Sequence, residues 1–168
     1  ANITWQGQQT LDGANRKENA DLIFKQSHDL NSENVKDYVP IACPTTHSTN
    51  TKGTGYNTIL YTWIGSTFDG QSYKIQELNI NSKGYAVGLF GVTVGADLKN
   101  VIMYSKNKAV IQRKTDSASD YVGAYSIGGL VGVAYDYDAK PANRTITNCS
   151  IAGYVIQDNS KNQLTLGE

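Results

Sequence analysis

Charge of one sign is missing from this sequence: 15 Lys and Arg balance 15 Asp and Glu, for a formal net charge of zero. A chain without a basic excess carries no electrostatic footprint for nucleic acid or for an anionic membrane surface. Long apolar runs are missing too. No stretch approaches the ~20 residues needed to cross a bilayer, and no basic segment leads into an apolar one in the manner of a signal peptide. Cysteine is scarce: Cys43 and Cys149 are too few for a disulfide framework and fit no metal signature, although a single bridge between them suits the count. Histidine is limited to His28 and His47, and neither has a partner at the spacing a nucleophilic site uses. Proline occurs three times, against 16 glycines and 11 tyrosines. With 39% apolar and 18% charged residues, that is the usage of a folded, β-rich chain with many tight turns.

What the sequence has in quantity is repetition. Gly88-Leu89-Phe90-Gly91 returns as Gly129-Leu130-Val131-Gly132. Leu98, Val101 and Met103 in "LKNVIM" return as Ile146, Cys149 and Ile151 in "ITNCSI", and Ile75, Leu78 and Ile80 in "IQELNI" fit the same template. "AVIQ" at 109–112 returns as "YVIQ" at 154–157. Each element is short and rich in β-branched residues, with Gly, Asn or Ser between elements, which is strand length and strand composition. A unit of short strands that cannot bury its own apolar face must stack on a copy of itself, which predicts an all-β β-solenoid. Residues 1–168 then form one domain, or a segment of a longer solenoid.

Gly88, Gly91, Gly129 and Gly132 are expected to supply positive-φ corners, and Asn100 and Asn148 to occupy equivalent left-handed turns, with Glu77 in that place in the first copy. Cys149, aligned with Leu78 and Val101, is expected to face inward as a small hydrophobe and to stay unbridged. The step from Leu98 to Ile146 is longer than the step from Gly88 to Gly129, which places one insertion loop at 134–145, and a second lies at 42–58.

"WIGSTFDGQSYKIQELNI" (63–80), followed by "VGLFG", "DLKNV", "GGLVG" and "TITNC", resembles the GLUG-motif family of bacterial surface and secreted proteins. "FKQSHDLN" (24–31), "YVPI" (38–41) and "TFDG" (67–70) follow the family's order. The resemblance implies a right-handed parallel β-helix of the pectate-lyase-like class, extracellular or at a cell surface. It implies a non-enzymatic role in adhesion or as a structural or assembly subunit, with a host glycan or surface protein as partner and no cofactor or metal. It leaves open a carbohydrate-active β-helix enzyme or an accessory region of a secreted peptidase.

Phe68-Asp69-Gly70 reads as a structural entry to a round of strands, an aromatic wedge followed by a turn-forming Asp and a permissive Gly. Lys74, Glu77, Asp97 and Lys99 read as solvated surface, since a uronate-type lyase would need Asp, Arg and Lys gathered on one face. Tyr135-Asp136-Tyr137-Asp138 exceeds what a scaffold needs. Alternating rings and carboxylates suit stacking on a sugar or ligating calcium through hard oxygens. "DNSKNQLTLGE" follows the last "YVIQ" in place of another glycine-flanked apolar unit, which predicts an unpaired edge after residue 157. Such an edge pairs with another copy or with flanking domains.

Overall fold

The structure, a computed structural model, describes residues 23–35, 38, 40, 41, 63, 64, 67–82, 86–113, 126–135 and 145–158. Among these residues the chain is all-β, with parallel strands in five sheets and no helix. The strands fall into four passes. The first holds β1 (Ile23–Lys25), β2 (Leu30–Asn31) and β3 (Trp63–Ile64). The second holds β4 (Thr67–Asp69), β5 (Lys74–Gln76), β6 (Ile80–Ser82), β7 (Ala86–Val87) and β8 (Phe90–Val94). The third repeats that order with β9 (Asp97–Lys99), β10 (Ile102–Tyr104), β11 (Val110–Arg113), β12 (Ser126–Ile127) and β13 (Val131–Tyr135). The fourth holds β14 (Ile146–Thr147), β15 (Ser150–Ala152) and β16 (Val155–Asp158).

Each pass gives one strand to each sheet it reaches, so every sheet runs pass by pass: β1-β4-β9-β14, β2-β5-β10-β15, β6-β11-β16, β7-β12 and β3-β8-β13. Ile41 adds a bridge to Phe90 in the last of these. A strand this short buries too little to stand alone, and its backbone groups are satisfied only by the strands of the neighbouring passes.

Register brings like side chains to the same level. Phe24, Phe68, Leu98 and Ile146 align in the first sheet, and Leu30, Ile75, Met103 and Ile151 in the second. Ile80, Ile111 and Ile156 align in the third. Phe68, Ile75, Ile80, Leu98, Met103 and Ile111 are buried in one apolar cluster, where Phe68 meets Phe90 edge-on at 5.3 Å and 71°. Phe68 is therefore the aromatic wedge expected of it.

The repeat of the third pass in the fourth is as expected: Leu98 pairs with Ile146 and Val110 with Val155, and the glycine-flanked units of the second and third passes meet where Phe90 pairs with Val131. The first copy of the template is not as expected. Ile75 pairs with Met103 instead of Leu98, and Ile80 with Ile111 instead of Met103. Phe68 takes the level of Leu98, so the residue facing Asn100 is Gly70, and Glu77 belongs to a later corner. The insertion after β13 also starts later than expected, because Ala134 and Tyr135 continue that strand opposite Thr93 and Val94.

The glycine expectation needs the larger correction. Positive φ is found at Asn100 and Asn148 (both 53°), as foreseen, but among described glycines only at Gly95 and Gly153. Gly88, Gly91, Gly129 and Gly132 are not left-handed. What Gly132 supplies is closeness: a Cβ there would lie 2.6 Å from the Val87 nitrogen and 2.8 Å from the Gly91 oxygen. Gly70 is likewise a contact glycine, where a Cβ would lie 2.5 Å from the Asn100 oxygen, and the positive φ in that turn falls on Gln71 and Ser72.

Candidate functional site

Several polar side chains at or between the strand ends of the described passes reach a neighbouring pass. Asp29 accepts the Lys74 N–H at 2.8 Å. Asp69 accepts the Asn100 amide at 2.9 Å, together with the Gln71 backbone and side-chain amides at 2.9 and 2.7 Å. Asp97 accepts the Thr145 N–H at 2.8 Å. Asn79 accepts the Val110 N–H at 2.9 Å. In each of these pairings between passes the acceptor lies on the earlier pass and the donor on the later one. Gln26 and Tyr38 run the other way, donating to the backbone oxygens of Lys74 and Leu89.

Two amide ladders share the first polarity. The Asn148 amide donates to Asn100 Oδ1 at 2.7 Å, continuing the Asn100 to Asp69 bond, and the Gln157 amide donates to Gln112 Oε1 at 2.9 Å. Asn100 and Asn148 are thus more than left-handed turn residues. The backbone conformation that Asn tolerates turns its side chain along the direction in which passes pair.

Glu77 makes the most concentrated corner. Ile75 pairs with Met103 and Ile80 with Ile111, so the chain between the two levels is longer on the third pass than on the second. Lys106, Asn107 and Lys108 form that excess as an exposed bulge closed by positive φ at Lys108. The Glu77 carboxylate sits in it, accepting Ser105 Oγ at 2.7 Å and the Lys106 and Asn107 N–H groups at 2.6 and 3.3 Å. Ser105 Oγ also accepts the Ala109 N–H at 2.8 Å. From the fourth pass, the half-buried Tyr154 hydroxyl accepts the Leu78 N–H at 3.3 Å, and burial raises its phenol above the ordinary value.

These bonds set the charge state. The Asn100 amide, helped by Gln71, holds the Asp69 carboxyl below its ordinary 3.8 against partial desolvation. Ser105, then the Lys106 N–H, holds Glu77 below its ordinary 4.5. Hydrogen bonds to the ionised form dominate both shifts, which is the behaviour of a structural carboxylate. The reading of Glu77 and Asp97 as plain solvated surface is therefore corrected: both are pass-to-pass connectors. No sequence signal marks them, because their partners are mostly backbone groups of another pass.

The other residues singled out in the sequence divide cleanly. Cys149 is a free, half-buried thiol packed against the apolar cluster, with Sγ 3.3 Å from the Thr147 oxygen and 3.6 Å from the Leu98 oxygen. It is level with Val101, as expected, but with Tyr73 and not Leu78 on the second pass, as the Ile102 pairs with Lys74 and Ser150 require. Asp136, Tyr137 and Asp138 lie outside the described residues, as do Cys43, His47 and the loop at 42–58, and of Tyr135 only the strand backbone is described. Among the described residues no group of three His, Cys, Asp or Glu could hold a metal ion, and no helix is long and apolar enough to cross a membrane.

The outer passes are the second feature. Ile23 is 61% and Leu30 37% exposed on the first pass, and Ile146 is 53% and Ile156 49% exposed on the fourth, whereas Leu98, Met103 and Ile111 between them are fully buried. At the outer passes the ladders are less covered: Leu30, Ile146 and Ile156 are exposed, while Phe24 and Ile151 are partly buried and Ile80, where the third ladder begins, stays fully buried. No family model, curated protein or solved structure matches the chain.

Proposed function

We propose that the parallel sheets wind into a right-handed β-helix and that the chain is a non-enzymatic bacterial surface module, a scaffold that displays inserted loops for adhesion. The hand follows from the strong preference of parallel crossovers for right-handed connection. One observation carries the functional reading: among the described residues, the carboxylates of Asp29, Asp69, Glu77 and Asp97 are engaged by donors, most of them from the following pass. A lyase or hydrolase of this architecture needs such groups unengaged and gathered near a cation. Here they hold the scaffold together, and ligand contact falls to the insertions expected at 134–145, which includes Tyr135, Asp136, Tyr137 and Asp138, and at 42–58. Localisation outside the cell and a glycan or surface protein as partner rest on the GLUG-like motifs.

The test is a glycan array run beside polysaccharide lyase and hydrolase assays. We expect binding without turnover, lost on deletion of residues 136–141 while the melting temperature hardly moves, since shortening a loop changes closure entropy little. Turnover of any polysaccharide would overturn the non-enzymatic reading.

A further inference from the structure

We infer that copies of this chain associate head to tail, the first pass of one seated on the fourth pass of the next. This goes beyond the display reading and does not depend on it. The first and second sheets have a strand on all four passes, so among the described residues each ends in an outermost strand at both extremes: β1 and β14 in one, β2 and β15 in the other. A copy added by the same pass-to-pass step stays parallel and keeps register. It puts Phe24 over Ile146 and Leu30 over Ile151, the next rung of ladders whose inner rungs are Phe68–Leu98 and Ile75–Met103. Within one chain that apolar-on-apolar step already occurs at three successive junctions in each of these sheets.

Two further observations favour a second copy over an unrelated partner. The exposed aliphatic residues at ladder levels lie on the outer passes, Leu30 on one and Ile146 and Ile156 on the other, so each end leaves apolar surface that the other can cover. A formal net charge of zero removes long-range repulsion between copies. The contact joins two different surfaces, so it does not close on itself and gives a linear series.

The full chain is followed by light scattering over a concentration series, with Ile146→Lys and Leu30→Lys as variants that each block one end. Circular dichroism and melting establish that both fold, and Leu30→Gln replaces Leu30→Lys should the latter not fold. We expect the wild-type mass to climb with concentration through multiples of 18.3 kDa. Each variant alone should stay at the mass of one chain. A mixture of the two, each with one good end of opposite kind, should form a two-chain complex and stop there. A wild type that remains one chain throughout overturns the inference. So does a series that persists in both variants, or a mixture that forms no pair.

Discussion

Protonating Glu77 would put an O–H where Ser105, Lys106 and Asn107 now donate, and protonating Asp69 would do the same opposite Asn100 and Gln71. Both folded values lie below the ordinary 4.5 and 3.8, so the stability these groups contribute is full above those values. It is lost as pH falls below them, through the depressed folded values. Urea midpoints should therefore be flat from neutral pH to the carboxylate range and drop beneath it. Glu77→Gln should lower the neutral midpoint and flatten part of that drop, so that wild type and variant converge in acid. A constant gap between them at every pH would show that the bulge needs only the side chain's shape. At Gly132 the constraint is space: Gly132→Ala meets the Val87, Gly91 and Ala86 backbone, none of which is a flexible side chain, and should cost roughly 2–3 kcal/mol by thermal melting.

A strand here is worth what its neighbours on both sides make it worth. Ile111 and Ile156 pair at one level of the same sheet, but Ile111 is fully buried and Ile156 is 49% exposed. Ile111→Ala should cost about 3 kcal/mol and Ile156→Ala less than ~1 kcal/mol, measured by denaturant unfolding. Equal costs would mean that the fourth pass is as well covered as the third. The same dependence on neighbours decides what can be read from sequence. Val110-Ile111-Gln112 and Val155-Ile156-Gln157 are legible because paired passes repeat both the apolar residue and the amide beside it. "IQELNI" misleads because its apolar spacing also fits the corner-spanning pattern of "LKNVIM", and the extra residues at 106–108 that shift the frame leave no mark in composition. The pairing of Ala86–Val87 with Ser126–Ile127 is too short to show a period. Contact glycines are legible as glycines, but their reason lies in a backbone brought close by another pass.

At the scale of the whole molecule, the passes are unequal in length. The round from Phe68 to its partner Leu98 is much shorter than the round from Leu98 to its partner Ile146. Passes held mainly to their neighbours can be peeled away in turn when the chain is pulled from its termini. At ~3.4 Å per extended residue the shorter round frees about 100 Å of contour and the longer about 160 Å. The stretch from Phe24 to its partner Phe68 is close in length to the longer one, so an optical-tweezers trace should show discrete lengthening events in two size groups, about 100 Å and about 150–160 Å. A single rip releasing all of the contour at once would instead make the four passes one mechanical unit.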